Sequence, residues 1–314
     1  MLETVKAAIF GHAVADALGV PAEFRRREDL KEHPITDMVG FGTHPVPKGS
    51  WSDDATMMLC TLESLAEYGE VVLEDIMRRF GKWVDEGYMT PHGELFDIGR
   101  TCLLAIRKFF SGTPIAECGG AGEHDNGNGS LMRIIPLSLY HSIKGISGEV
   151  AIDEIFAVSA LTHAHERSCV ACGIYETVLR ALLECPSRES ITEGLAKAKE
   201  RFEGFSELAT YHRVFDADFA KTEEADINSS GYVVDTLEAA LWCLLTTENY
   251  RDCVLKAVNL GSDTDTTAAV AGGLAGILYG FDAIPHEWVE SLARKDEISE
   301  MCAAFVEKCG KAGC

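Results

Sequence analysis

Positive charge is scarce in this sequence. Its 28 Lys and Arg residues stand against 50 Asp and Glu residues, which leaves a formal net charge of −22 over 314 residues. Nucleic acid and anionic membranes repel so negative a surface, so partners bound through bulk positive charge are excluded. A local basic pocket for a phosphorylated small molecule remains compatible with this composition.

Long apolar runs are also missing. The most apolar stretch, Ala268 to Gly280, is short and interrupted by glycine, whereas a membrane span needs about 20 apolar residues. The first residues show no basic segment followed by an apolar run, so no signal peptide is expected. We therefore expect a cytoplasmic protein that does not enter a membrane.

Cysteines at the spacings of a disulfide framework are absent, although the chain holds 11 cysteines. In a chain of this length without an export signal, scattered cysteines indicate reduced and buried thiols. The pair Cys169 and Cys172 lies in a helical pattern, and two ligands alone do not make a zinc site.

Strand-like alternation is almost absent, and apolar residues recur at helical spacing. This spacing occurs first in residues 5–17 and 58–66, and it predicts a helix in each of these two ranges. Further helices are predicted over residues 72–85, 96–110, 154–161, 168–183, 191–205, 233–245, 250–258 and 266–279, with two short helices after Pro285. No Pro- or Ser-rich linker and no fixed repeat divides the chain. The sequence therefore predicts one compact all-α domain over residues 1–314.

Two acidic clusters precede predicted helices that are far apart in the chain, at residues 51–54 (WSDD) and 261–266 (GSDTDT). For either cluster alone, helix capping is the simpler interpretation, because Ser and Asp favour a helix start. Each cluster, however, carries two carboxylates and leads into an apolar helix, where buried carboxylates need a cation. Such oxygen ligands suit Mg²⁺, Mn²⁺ or Ca²⁺ rather than zinc, and four carboxylates could hold two ions.

Two further observations bear on these clusters. Glu23 follows a Pro turn and is a third acidic candidate, although a Glu in this position is usually just solvated. The string from Asp263 to Thr267 also matches the nucleophile motif of haloacid-dehalogenase-type phosphatases. That motif normally ends a strand near the start of an α/β domain, whereas only helical sequence follows here, so this alternative is disfavoured.

An ordered set of sequence blocks resembles the ADP-ribosylglycohydrolase family, in particular its dinitrogenase-reductase-activating branch. The blocks are GHAVADALGVPAEF (11–24), WSDDATMM (51–58), FDIGRT (96–101), NGNGSLMRIIPL (126–137), LTHAHERS (161–168), SGYVVDTLEAALW (230–242) and VNLGSDTDTTAAVAGGLAGILYG (258–280). Each block is weak by itself, whereas the ordered set spans nearly the whole chain and is specific.

The resemblance implies an all-α fold with a dinuclear metal cleft, in which two Mg²⁺ or Mn²⁺ ions lie at the base of an ADP-ribose site. The metal ligands that it implies are Ser52, Asp53, Asp54, Asp263, Asp265 and Thr266. Glu23 matches an acidic residue beside the metals, which acts on the metal or on the substrate ribose.

Departures from the family pattern are modest. Ala15 and Ser262 each stand where the family usually has Gly, and Ser52 stands where Thr is common. None of these changes removes a ligand, and both Asp pairs are intact. They give no reason to doubt activity.

The resemblance also separates alternatives that the residues alone leave open. Asp97 and Arg100 fit an ordinary pair on a helix surface, whereas the resemblance makes Asp97, with Glu23, a catalytic candidate that faces the scissile bond and a cationic leaving group. The predicted substrate-binding residues are Gly127, Asn128, Gly129, Ser130 and Met132 as a pyrophosphate cradle that opens a helix at Leu131, His163 at a phosphate or ribose, and Tyr232 on the adenine. From the residues alone, the glycine loop is a flexible turn. For Tyr232, packing in the core at a helix start remains as plausible as contact with the adenine.

The function that the resemblance implies is metal-dependent hydrolysis of the N-glycosidic bond between ADP-ribose and a modified protein side chain, with arginine favoured. The partner is then the ADP-ribose moiety of an ADP-ribosylated protein, and neither nucleic acid nor membrane is expected. The charge of −22 is expected to favour cationic target segments. Alternatives are hydrolysis of a serine-linked or small-molecule ADP-ribosyl group, and a non-catalytic ADP-ribose-binding or structural relative.

Overall fold

The computed structural model of the chain describes residues 1–310. Its α-helices, joined by loops and short 3₁₀ turns, are α1 (Leu2–Gly19), α2 (Arg27–Glu32), α3 (Asp53–Tyr68), α4 (Leu73–Glu86), α5 (Arg100–Phe110), α6 (Ile135–Lys144), α7 (Gly148–Ala160), α8 (Glu166–Glu184), α9 (Arg188–Arg201), α10 (Val233–Leu245), α11 (Tyr250–Val258), α12 (Thr264–Tyr279), α13 (His286–Ser291) and α14 (Lys295–Gly310). Residues 311–314, part of the predicted domain, lie outside the described range.

No β-strand forms within residues 1–310, and the all-α prediction is confirmed. Among residues 1–310, isolated β-bridges join Gly120 to His163 and Gly127 to Tyr232. These bridges tie the loop that contains residues 119–130 to two later segments of the chain. None of the described helices combines the length and apolarity that a bilayer crossing requires.

Helix boundaries differ from the predicted ones where loop residues decide them. The helix predicted over 96–110 begins only at Arg100, because Gly99 has an extended backbone and forms the N-cap. The helices predicted over 154–161 and 191–205 are α7 and α9, and each starts earlier than predicted. One of the two short helices predicted after Pro285 is α14, which has 16 residues. The helix expected at Leu131 is a single 3₁₀ turn that precedes α6.

The centre of the fold is the packing of α1 against α12, two helices that are buried over most of their length. Their backbones approach closely at glycines. A Cβ atom on Gly11 would lie 2.5 Å from the carbonyl oxygen of Gly272, and one on Gly276 would lie 1.9 Å from that of Ala7. A helix that is apolar all round is typical of the interior of a larger protein.

The C-terminal end of α1 fixes the start of α12. A Cβ atom on Gly19 would lie 2.4 Å from Cα of Asp265, so the two backbones touch at the second acidic cluster. After Gly19 the chain makes a short 3₁₀ turn over residues 20–22 and reaches Glu23. One end of α1 therefore brings Glu23 and the first turn of α12 to the same place.

Candidate active site

The first acidic cluster is the N-terminus of α3, and a carboxylate from α1 fixes it. The side chain of Asp16 accepts hydrogen bonds from the backbone N–H groups of Ser52 and Ala55, each at 2.9 Å. The hydroxyl of Ser52 accepts from the N–H of Asp54 at 3.4 Å and forms the N-cap. Asp16, which was not among the predicted site residues, therefore holds the first turn of α3 in place.

The two acidic clusters meet although they are far apart in the sequence. The hydroxyl of Thr266, on α12, donates a hydrogen bond to Oδ2 of Asp54 at 3.1 Å across 212 positions of chain. Oγ of Ser52 lies 3.0 Å from the same oxygen. The structure thus brings together four of the predicted metal ligands, Ser52, Asp54, Asp265 and Thr266, where the first turns of α3 and α12 adjoin.

Among the described residues, no basic side chain forms an ion pair with these buried carboxylates. Within residues 1–310, Oδ1 of Asp54 and Oδ2 of Asp265 are buried and have no hydrogen-bond partner. Burial first, and then the neighbouring carboxylates, raise the pKa values of Asp53, Asp54 and Asp265 well above the ordinary value. Unpaired buried oxygen atoms of this kind fit a hard divalent cation, whose charge would offset their desolvation.

A cleft of about 310 Å³ lies above the junction of the first turns of α3 and α12, and this junction forms the floor of the cleft. The predicted site residues that line it are Glu23, Asp53, Asp97, Gly127, Asn128, Gly129, Met132, His163, Asp263 and Thr266. Two hydrogen bonds orient its carboxylates: Nδ2 of Asn128 donates to Oδ2 of Asp263 at 2.9 Å, and the N–H of Gly99 donates to Oδ2 of Asp53 at 3.3 Å. Asp97 belongs to the loop before α5, so its interpretation as part of a helix-surface pair was wrong.

Two predicted binding residues lie away from the cleft wall. Ser130 is fully buried and accepts a weak hydrogen bond from the thiol of Cys172 at 3.5 Å. Tyr232 lines an adjoining depression of about 430 Å³, where the guanidinium of Arg167 lies 5.8 Å from its ring centre. Gly127 and Gly231 line both the depression and the cleft, so the two are continuous.

A buried arginine braces the glycine loop of the cleft. Arg133 donates hydrogen bonds to the carbonyl oxygen of Gly129 at 2.9 Å and to the hydroxyl of Thr162 at 3.1 Å. That hydroxyl also contacts Nδ1 of His163 at 2.8 Å. Burial lowers the pKa of His163 to about 3, so its imidazole is neutral at physiological pH. Loop and histidine are therefore held rigidly as one wall.

His44 is a site residue that the sequence did not reveal. Its Nε2 is hydrogen-bonded to Oε2 of Glu23, and ligand atoms of Glu23, His44 and Asp97 all lie within 4.8 Å of one another. The ring of His44 packs against Phe96 with ring centres 5.1 Å apart. The only signal was one histidine in a loop rich in Gly and Pro, which is weak.

The pKa values of Glu23, His44 and Asp97 are all shifted by their surroundings. The hydrogen bond to Glu23 raises the pKa of His44. Burial raises the pKa of Glu23 and that of Asp97 above the ordinary values. Two carboxyl groups with raised pKa values on a cleft wall are candidates for acid–base catalysis.

Comparisons with known proteins find relatives that match most of the chain. The chain is 32% identical over 301 residues to the ADP-ribosylarginine hydrolase Tri1 of Serratia proteamaculans, which covers 96% of this chain and 78% of that one. It is also 32% identical over 295 residues to the ADP-ribosyl-(dinitrogen reductase) glycohydrolase of Rhodospirillum rubrum, covering 92% of this chain and 90% of that one.

Structure and family comparisons point the same way. A solved structure described as an ADP-ribosylglycohydrolase-related protein complex superimposes with a TM-score of 0.82 at 28% identity and covers 98% of both chains. A family model described as ADP-ribosylglycohydrolase matches residues 1–313. This chain belongs to the ADP-ribosylglycohydrolase family.

Proposed function

We propose that this protein hydrolyses the N-glycosidic bond between ADP-ribose and a modified arginine side chain of a protein. The observation that carries the proposal is the junction of α3 and α12, where Thr266 contacts Asp54 and two buried carboxylate oxygens have no partner among the described residues. The relatives named as ADP-ribosylarginine hydrolases support the choice of arginine.

The buried oxygen atoms would hold two Mg²⁺ or Mn²⁺ ions. The ligands would be Ser52, Asp53, Asp54, Asp263, Asp265 and Thr266, because these residues offer only oxygen donors and come from the two adjoining helix starts. The chemistry that such ions supply when bound is polarisation of the ribose hydroxyls and of a water near neutral pH. Asp16 keeps Ser52 and the first turn of α3 in position for this role.

Proton transfer would fall to the carboxyl groups on the cleft wall. Cleavage leaves a guanidine that must keep or gain a proton, and Asp97 and Glu23 adjoin each other beside the floor. Burial raises the pKa of both carboxyl groups, which favours the protonated form that a general acid requires. In the ionised form the same groups stabilise an oxocarbenium-like transition state and attract a cationic leaving group.

The remainder of ADP-ribose would extend from the floor toward Tyr232. Gly127 and Gly129 leave the loop backbone open to a pyrophosphate, and Arg133 holds that loop from behind. The main-chain N–H of Asn128 would not contact the pyrophosphate, because it donates a hydrogen bond to the carbonyl oxygen of Gly231 at 3.1 Å. The depression beside Tyr232 and Arg167 would take the adenine. The leaving group would then lie at the opposite end, beside Asp97 and Glu23.

The test is a comparison of linkages. Metal-free protein is supplied with Mg²⁺ or Mn²⁺ and given matched peptides that carry ADP-ribose on arginine or on serine, and released ADP-ribose is measured by chromatography. We expect release from the arginine peptide only, and none in the presence of chelator. Equal or faster release from the serine peptide would overturn the arginine assignment. Metal-dependent binding of ADP-ribose without any release would show a binding protein instead.

A further inference from the structure

A second cavity, of about 670 Å³, lies beside the cleft and shares Phe24 with it. One side of this cavity is α2 with the residues just before it, and the other side comes from residues 225–230 with Leu260 and Ser262. Phe24 stands between cavity and cleft with 68% of its surface exposed. The residue before it, Glu23, faces the cleft, and the residue after it, Arg25, faces the cavity.

The charge of this cavity is opposite to that of the whole chain. Its lining holds four cationic side chains and two acidic ones, whereas the chain carries a net charge of −22. The cations are Arg25, Arg26, Arg27 and Lys31, and the acids are Glu28 and Asp235. An excess of positive charge in a concave surface focuses the local potential and attracts anions.

Arg27 is a fixed positive charge that no carboxylate neutralises among the described residues. Its guanidinium donates to the carbonyl oxygens of Leu260 at 2.8 Å, Glu224 at 2.6 Å and Ile227 at 2.5 Å. These three bonds anchor α2 to the segment across the cavity. The charge of Arg27 is therefore held at the cavity wall by main-chain dipoles and remains available to an anion.

Arg25 is the cation best placed to bind a ligand. It is partly exposed, and its guanidinium forms no hydrogen bond or ion pair within residues 1–310, while its charge acts on the nearby carboxylate of Asp29. Arg26 and Lys31 differ, because they pair with Asp29 at 2.8 Å and with Glu224 at 3.1 Å. The main chain of Arg25 is nevertheless fixed, since its carbonyl oxygen accepts from the N–H of Ser262 at 2.8 Å.

The cavity also lies where a polypeptide substrate would leave the cleft. In the proposed function, the adenine lies beside Tyr232 and the departing side chain lies beside Glu23 and Asp97. Phe24 lies on the rim next to Glu23, so the protein that carries the modified arginine would leave the cleft past Phe24, with Arg25 on the far side of that rim. The residues next to the modified arginine would therefore come to rest against a cationic wall.

We infer that this cavity binds an acidic segment of the ADP-ribosylated protein, with Asp or Glu side chains next to the modified arginine contacting Arg25 and Arg27. The inference rests on the proposed function, which supplies the direction in which the polypeptide leaves the cleft. It also reverses the expectation that the net negative charge favours cationic target segments. Substrate choice is thereby set by the local charge at the rim and not by the charge of the whole chain.

The experiment compares two peptides of equal length, each with one ADP-ribosyl-arginine, flanked either by Asp and Glu or by Asn and Gln. At low salt we expect the wild-type protein to show a kcat/KM about 5- to 10-fold higher for the acidic peptide, and high salt to reduce this ratio. Arg25→Gln should lower the ratio and Arg25→Glu should bring it to one or below. The matched control is Arg78→Glu, an exposed arginine on α4 outside the cavity, which should keep the wild-type ratio.

Direct binding separates this inference from the proposed function. A labelled, unmodified acidic peptide should bind the wild-type protein in fluorescence anisotropy and bind Arg25→Glu at least about fivefold more weakly. If neither modified peptide is hydrolysed, the proposed function fails while this measurement still tests the cavity.

Three results would overturn the inference. They are a wild-type ratio near one, a ratio that Arg25→Glu leaves intact, and a loss of affinity for free ADP-ribose in Arg25→Glu as large as the loss for the peptide. The last result would assign the cavity to the nucleotide instead of the polypeptide.

Discussion

Two groups of buried carboxylates in this protein have opposite surroundings. Glu176, on α8, is fully buried and pairs with Arg201 at 2.6 Å and Arg180 at 3.2 Å. Burial tends to raise its pKa, but His141 and these two arginines outweigh that effect and lower it. Asp54 and Asp265 are as deeply buried, yet one oxygen of each has no partner among the described residues and their pKa values are raised.

The difference shows what each carboxylate is for. Around Glu176 the chain supplies the counter-charge itself, so the group is complete once the protein has folded. At the junction of α3 and α12 the counter-charge must come from outside, which is costly for the metal-free protein and useful for binding a cation. Stability and function are therefore assigned to different carboxylates, and substitutions should separate them.

The largest expected effect is on activity. Asp265→Asn replaces a charged oxygen at the floor with an amide, so we expect hydrolysis to fall on the order of 10⁴-fold, or ~5 kcal/mol of transition-state stabilisation. Release of ADP-ribose at saturating Mn²⁺ measures it. Asp296→Asn, in an exposed pair with Lys295 at 3.2 Å, is the control and should keep full activity. Activity of Asp265→Asn within tenfold of wild type would contradict the assignment.

The next largest effect is on folding stability, and it is expected at Glu176 rather than at the cleft. Glu176→Gln leaves Arg201 and Arg180 without their buried partner, so we expect a loss of about 3 to 5 kcal/mol in the free energy of unfolding. Urea denaturation measures this loss. Glu184→Gln, in an exposed pair 3.8 Å from Lys197, should cost less than about 1 kcal/mol. In the absence of metal, Asp265→Asn should be no less stable than wild type, and a loss comparable to that of Glu176→Gln would remove the contrast.

A bound metal ion should supply the counter-charge for Asp54 and Asp265, as Arg201 and Arg180 do for Glu176. At a free Mn²⁺ concentration 100 times the dissociation constant, linkage adds about 2.7 kcal/mol to the free energy of unfolding. The measurement is urea denaturation with Mn²⁺ and with chelator. Asp265→Asn should gain much less than wild type, whereas Glu176→Gln should gain the full amount. Equal gains in all three proteins would place the metal elsewhere.

The smallest effect concerns Glu23, a proposed catalytic residue whose hydrogen-bond partner is His44. His44 holds Glu23 by a hydrogen bond, so His44→Gln should lower kcat by about 10- to 100-fold through loss of orientation. Because His44 is a positioning residue, KM, Mn²⁺ affinity by calorimetry and the melting temperature should stay close to wild type. A parallel fall in melting temperature would indicate a merely structural role.

Helical periodicity carried most of the information about the fold. The predicted helices over 233–245 and 250–258 coincide with α10 and α11, because an apolar stripe and its ends are local properties of the sequence. The start of α5 was misplaced because Gly99, a single residue, decides where the helix begins. Local pattern predicts that a helix exists better than where it ends.

The site was predictable in part for the same reason. Paired carboxylates at two helix starts indicated a shared cation, since such groups are costly to bury without one. Asp16 and His44 gave no such signal, because their roles depend on partners far along the chain. The loop of His44 is held where the N–H of Thr43 donates to the carbonyl oxygen of Pro21 at 3.0 Å, a contact that only the folded backbone reveals.

The close contact between α1 and α12 at Gly11, Gly19 and Gly276, here called the glycine seam, has a consequence for inherited or engineered variants. Where Gly19 meets Asp265 and Gly276 meets Ala7, one added methyl group would act as a wedge and tilt α12 away from α3. The distance between the two halves of the floor thus depends on the close contact between α1 and α12, which is buried away from the substrate. A screen for inactive proteins would accordingly recover small-to-large changes hidden in this seam alongside changes in the cleft.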